Sequence, residues 1–250
     1  MRRFLLGILV FLGFSLSLKS ETYVVCVGIS RYAHPKVKDL RLPEKDAKDV
    51  AAFYKLATDK VITVTGKYAT KTQILKCLNS QFSRAGEKDR IIFYFSGHGY
   101  PGGFCPYDMT RLDEGLSYQE VISIMNQSNA KAKLIFADAC NSGAIRHSER
   151  QAARPQTGNV LLFLSSRGNE LSIESRLDDN GFFTKYLLRG LKGGADTDRN
   201  LSITAKELFL FVSEGVKIRS KDKQHPVMWG NFDDNLSIVE YKKDKEICLQ

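Results

Sequence analysis

Apolar positions along this chain fall into two kinds of run. Tyr23 to Ile29 is apolar at nearly every position, as are Ile91 to Phe95, Leu134 to Ala137 and Val160 to Leu164, with a shorter run at Val61 to Val64. Between them the spacing changes to three and four residues. Ala47, Val50, Ala51 and Tyr54 recur this way within Glu44 to Leu56, and Ile74, Leu75, Leu78 and Phe82 follow a capping Thr70. Tyr118 to Met125, Phe182 to Leu191 and Lys206 to Val216 carry further helical patterns. Strands that are apolar on both faces are those covered by helices on both sides. The β-α-β-α order therefore predicts an α/β fold with a mostly parallel, doubly wound sheet. In such sheets chemistry gathers where strands end at their carboxyl side.

No internal repeat interrupts this order. Arg2 and Arg3 precede an apolar run from Phe4 to about Leu18, with small residues at Ser15, Ser17 and Ser20. A basic start, an apolar stretch too short for a bilayer and a small-residue end read as a secretory signal over residues 1–20. The expectation is export to a periplasmic or secreted location, with no stable membrane insertion after signal cleavage. Residues 21–240 then form one domain, the polar and basic segment 146–158 is an internal loop, and 241–250 is a basic tail. The 250 residues carry a net charge of +9, which falls to +6 once Arg2, Arg3 and Lys19 leave with the signal. That charge is dispersed and no aromatic-basic motif accompanies it, so nucleic acid is not an expected partner. The five Cys form no paired framework or metal motif, and an odd number in an exported chain leaves at least one thiol free. Cys26 and Cys77 read as small core hydrophobes.

Two of the apolar strands end in reactive residues. Ile91–Phe95 runs into Ser96-Gly97-His98-Gly99, and Leu134–Ala137 into Asp138-Ala139-Cys140-Asn141-Ser142-Gly143. Adjacent parallel strands deliver their ends to one edge, where an imidazole can meet a thiol. A thiol with an ordinary pKa of about 8.5 is mostly protonated at neutral pH, and a paired imidazole lowers it by several units. The thiolate can then attack an acyl carbon while the imidazole protonates the leaving amine.

With these motifs the chain resembles the caspase-fold cysteine peptidases of the metacaspase-like, bacterial type. The resemblance extends through Val27-Gly28-Ile29-Ser30-Arg31-Tyr32, Asp46-Ala47, Gly181-Phe182-Phe183-Thr184, Ala195-Asp196-Thr197-Asp198 and Gln224-His225-Pro226. It implies a caspase-like α/β/α sandwich, with Cys140 as nucleophile, His98 as general acid/base, and the backbone N–H groups of Gly99 and Cys140 as the oxyanion hole. Asn141 departs from the His that metacaspases usually carry after the nucleophile. By the same resemblance Asp46 and Asp138 line the pocket for the residue before the cut. Two carboxylates there select Arg or Lys and reject an acidic side chain. Arg167, where caspases carry a pocket-wall Arg, pulls the other way but is outweighed by the two acids.

The expected activity is therefore a cysteine endopeptidase acting on protein or peptide substrates with a basic residue before the cut. The loop after Cys140 carries Arg146, Arg150 and Arg154, which makes it a candidate for autoprocessing beside its own active site. The alternative is a catalytically silent caspase-like domain that binds or regulates. Asp196, Asp198, Asn200, Ser202, Thr204 and Glu207 have the spacing of an EF-hand loop, but Leu201 stands where the turn calls for Gly. The expectation is a degenerate structural loop. No cofactor is required, and calcium is the one the pattern admits. Nothing in the sequence sets an oligomeric state.

Overall fold

The computed structural model describes residues 20–100, 102–111, 114–139, 160–166, 178–230, 233–241 and 247–248. A six-stranded sheet forms the centre, built from β1 (Thr22–Gly28), β2 (Val61–Thr65), β3 (Arg90–Gly97), β7 (Ala132–Ala139), β8 (Val160–Leu164) and β10 (Val227–Trp229). The spatial order is β10-β8-β7-β3-β1-β2, parallel throughout except for the antiparallel edge strand β10. The anticipated mostly parallel α/β sheet is what forms.

The middle of each central strand is apolar because both of its faces are covered. Val25, Val27, Phe93, Phe95, Ile135 and Leu162 point into a core under α2 (Lys71–Phe82) and α3 (Tyr118–Gln127). Their alternate neighbours Val24, Cys26, Ile92, Tyr94, Phe136 and Phe163 enter a second core under α1 (Pro43–Tyr54), α4 (Phe182–Arg189) and α5 (Ala205–Arg219). This is the strand period of two expressed on both sides of one sheet. Cys26 and Cys77 are buried in these layers, and burial pushes both thiols above their ordinary pKa.

Helix starts follow their local chemistry. Thr70 caps α2 by accepting from Gln73 N at 3.2 Å, and Pro43 opens α1 where a missing N–H costs nothing. Ser117 with Glu120, and Thr204 with Glu207, form reciprocal capping boxes on α3 and α5. The helical pattern from Phe182 ends sooner than its apolar spacing predicts. Past Arg189 the chain enters a π-type turn over Gly190–Gly194, where three glycines remove helix propensity.

Two small sheets carry no period that the sequence could display. One is a three-stranded meander of β4 (Gly99–Tyr100), β5 (Gly103–Phe104) and β6 (Leu116–Ser117), directly after His98. The other pairs β9 (Ser202–Thr204), β11 (Ser237–Tyr241) and β12 (Ile247–Cys248). The 240/241 boundary falls inside β11, and Ile247–Cys248 pairs with that strand. Among the described residues, no helix is long and apolar enough to cross a membrane.

Candidate active site

Parallel pairing of β3 with β7 sets Ser96 opposite Asp138 and Gly97 opposite Ala139. The next residues along the two strands are His98 and Cys140. Cys140 lies outside the described residues, as do Arg146, Arg150, Arg154, Arg167 and the signal segment up to residue 19. The strand end before Cys140 is firmly held. Ala139 N–H donates to Ser165 Oγ at 3.1 Å, and the same hydroxyl donates back to Ala139 O at 3.0 Å. Ser165 is fixed in turn by the fully buried Gln224, whose Nε2 donates to Ser165 O at 2.9 Å. That gives Gln224, in the Gln-His-Pro run, a structural task at the head of β7.

His98 is clamped from three directions. Gly97 before it has φ 155°, and a Cβ there would lie 2.8 Å from the Tyr32 hydroxyl. The absent side chain lets that hydroxyl approach closely enough to accept from His98 N–H at 2.7 Å. The Tyr32 ring also packs against the imidazole, with centroids 5.1 Å apart. His98 Nε2 lies 2.7 Å from the backbone carbonyl of Lys38. A carbonyl only accepts, so Nε2 carries the proton and Nδ1 is left for a second partner. After His98 the chain enters β4. Cys105 N–H donates to His98 O at 2.9 Å, and by the alternation of an antiparallel pair this turns the Gly99 N–H away from β5. Neither Tyr32 nor the Lys38 carbonyl stood out in the sequence. A backbone carbonyl has no residue signature, and Tyr32 becomes a candidate only when the loop after β1 folds back onto β3.

Asp46 and Asp138 come from α1 and β7 and meet at Gly181, before α4. A Cβ on Gly181 would sit 2.4 Å from Asp138 Oδ2 and 3.3 Å from Asp46 Oδ2, so only glycine leaves room for both carboxylates. Asp46 is 1% exposed and Asp138 6%, so Asp46 is no solvated helix-terminal charge. Asp46 accepts from Ser96 Oγ at 3.1 Å, Asn180 Nδ2 at 2.9 Å and Gly181 N at 3.2 Å. Asp138 accepts from Thr184 N at 3.1 Å and Thr184 Oγ1 at 2.8 Å. Burial, and then the charge of Asp138, push the Asp46 pKa up to about 8, against the donors that pull it down. Burial beside Asp138 therefore favours the neutral, proton-bearing form of the Asp46 carboxyl.

The acidic loop 196–207 is closed by the chain's own donors. Asp196 accepts from Asn200 N and Leu201 N, and Asp198 from Asn200 N and Nδ2. Glu207 accepts from the backbone and hydroxyl of both Thr197 and Thr204. Burial alone would raise the Glu207 pKa, but the Thr204 and Thr197 donors outweigh it and hold the carboxyl below the usual glutamate value. Leu201 adopts φ 67°, the left-handed conformation that glycine would take at no cost. Asp196, Asp198 and Glu207 do converge, with ligand atoms within 4.8 Å of one another. Each of these carboxylates already accepts from the chain's own donors, and no chemical step is routed through the loop.

A family model of the caspase domain matches residues 22–237. The chain belongs to the caspase-domain family. A probable protease of a Desulfuromonadales bacterium is 26% identical over 176 residues, a match covering 59% of this chain and 22% of that relative. The chain thus spans about a fifth of that protein's length. Among solved structures, caspase-1 from Spodoptera frugiperda superposes with a TM-score of 0.63 at 15% identity, over 87% of this chain and 89% of the other. A Geobacter sulfurreducens protein gives 0.61 at 20% identity, over 85% and 95%. These likenesses establish the fold. Family and fold together make this a protease-family domain of the caspase type.

Two measurements check the site chemistry. Nitrogen-edited NMR of neutral His98 should show the Nε2–H tautomer, and a dominant Nδ1–H form would contradict the Lys38 contact. Asp46 has the second testable property. Its ordinary pKa of 3.8 is raised on folding, so the folded chain retains a proton that the unfolded chain has released. The favourable contribution is complete below about 3.8 and is lost as pH rises toward about 8. Asp46→Asn, which does not titrate, should therefore gain stability relative to wild type across that window. The slope is at most about 1.4 kcal/mol per pH unit. Chemical denaturation at pH 5 and pH 8 reads it, and a pH-independent difference would exclude a raised Asp46 pKa.

Proposed function

We propose that the domain is a cysteine endopeptidase that cleaves after Arg or Lys, with Cys140 as nucleophile and His98 as general acid/base. The Cys140 thiolate attacks the scissile carbonyl carbon, and the carbonyl oxygen becomes an oxyanion received by the Gly99 and Cys140 N–H groups. Each such donor is worth roughly 100- to 1000-fold in rate. His98, protonated at Nδ1 by the thiol, passes that proton to the leaving amine as the carbon–nitrogen bond breaks. Water, deprotonated by the same nitrogen, then hydrolyses the thioester and regenerates the thiol. The Lys38 carbonyl keeps Nε2 protonated through the cycle, so one nitrogen does both transfers.

The observation that carries this reading is the β3–β7 register, which ends the two motif-bearing strands side by side at Gly97 and Ala139. The basic preference is supported by the buried Asp46 and Asp138 flanking Gly181. A guanidinium or ammonium group arriving there favours the charged form of both carboxylates, with the Asp46 proton released to solvent. An acidic side chain would meet like charge in a low-dielectric site. The same preference makes Arg146, Arg150 and Arg154 candidates for self-cleavage. Export through the 1–20 segment would deliver the peptidase to the periplasm or beyond.

Digestion of a peptide library by the purified mature protein should yield products ending in Arg or Lys, at rates equal with calcium and with EDTA. A dominant product ending in Asp would overturn the pocket assignment. Mass spectrometry of the stored protein should find cleavage after one of the three loop arginines in wild type and none in Cys140→Ala. Identical fragments from both would exclude autoprocessing.

A further inference from the structure

The Gly181-Phe182-Phe183-Thr184 run stands beside the acid pair without any task in the chemistry above. Its position supplies one. The first turn of a helix has N–H groups with no intrahelical partner and favours negative charge. In α4 these groups are spent on the two pocket acids: Gly181 N–H reaches Asp46, and Thr184 N–H reaches Asp138. The side chains of this turn act on the same atoms. Asn180 Nδ2 donates to Asp46 Oδ1 at 2.9 Å and to Asp49 Oδ2 at 2.8 Å, using both of its hydrogens. Thr184 has a single hydroxyl hydrogen, and Asp138 Oδ2 at 2.8 Å takes it. The Tyr94 hydroxyl, 2.6 Å from Thr184 Oγ1, must then donate. A directed chain runs from Tyr94 through Thr184 to Asp138, and all three residues are buried.

The segment leading into this turn is anchored away from the pocket. Asp178, 5% exposed, pairs with Lys185 and Arg219, and its carbonyl accepts from Arg41 Nη2 at 2.6 Å. Arg219 also lies over the Phe182 ring, 5.1 Å from its centroid. These contacts tie the start of α4 to α5 and to the loop before α1, so its donors are set before any substrate arrives. Two carboxylates in one buried space repel each other, and unsupported they would both protonate or move apart. Preorganised donors are what let one of them stay charged without solvent.

We propose that the first turn of α4 positions the specificity site, with Thr184 and Asn180 holding Asp138 and Asp46 in the geometry that receives a basic side chain. Both act through the carboxylates and neither through the substrate itself. This rests on the reading that Asp46 and Asp138 select Arg or Lys.

The test compares wild-type mature protein with Thr184→Val, Thr184→Ser and Asn180→Ala, using a fluorogenic Arg peptide. Thr184→Val keeps the side-chain shape and removes the charge-directed hydroxyl. It should raise KM about tenfold with a much smaller change in kcat, as expected for loss of one hydrogen bond to a charged group. Thr184→Ser, which restores the hydroxyl, should return KM to within about threefold of wild type. Asn180→Ala, at a half-buried position, should raise KM in the same way and guards against misfolding of the Val variant. A purely structural bond would lower stability in the Val variant without this KM-specific loss or its rescue by Ser. Unchanged KM in folded Thr184→Val and Asn180→Ala, while wild type cleaves after Arg, would overturn the positioning role. Wild type that cleaves after neither Arg nor Lys would overturn the underlying pocket reading instead, and the inference with it.

Discussion

Everything at this site depends on two parallel strands ending level with each other. In the β3–β7 ladder Ser96 faces Asp138 and Gly97 faces Ala139. A slip of one residue in that register would turn every side chain of one strand to the opposite face. Asp138 would then leave the second core, where Asp46 and Thr184 meet it, for the layer under α2 and α3. The register is held because both faces are buried. Phe93, Phe95 and Ile135 can only face one helical layer if Tyr94 and Phe136 face the other. Packing of ordinary apolar residues thus does the alignment that the chemistry uses. Gln224 and Ser165 then secure the last residue of β7.

The acid pair shows what such alignment costs. Burying Asp46 beside Asp138 is unfavourable, and the chain offsets it with donors from Ser96, Asn180, Gly181 and Thr184. The offset is incomplete, and the raised Asp46 pKa records the remainder. Under the proposed basic preference, the negative potential that makes this burial unfavourable is also what would attract a basic side chain. Cys26 marks the contrast: a neutral thiol in an apolar layer is simply a packing group.

Much of the architecture was legible in the amino-acid order. Continuous apolar runs marked the central strands and three–four spacing marked the helices, because burial on two faces or on one leaves different patterns. Thr70 was readable as a cap, and the Leu201 position as a strained turn. The short meander after His98 and the β9–β11–β12 sheet were not, since strands of two to five residues carry too few positions for a period. Lys38 was invisible because its contribution is a carbonyl that every residue possesses. Asn180 and Thr184 were visible only as letters in a run, without any indication that a carboxylate from α1 and another from β7 would converge on them.

By itself the sequence determined which segments pack and on how many faces, and which strand ends bear an imidazole, a thiol and a carboxylate. These are properties of local composition and period, and the chain carries them wherever it goes. Only the tertiary structure decided which nitrogen of His98 holds its proton, that Asp46 is buried beside Asp138, and that the start of α4 supplies their donors. Each of these follows from groups 46 to 135 positions apart being brought within hydrogen-bond reach. Protonation and orientation are set by those neighbours, and linear order does not specify distance between residues so far apart along the chain.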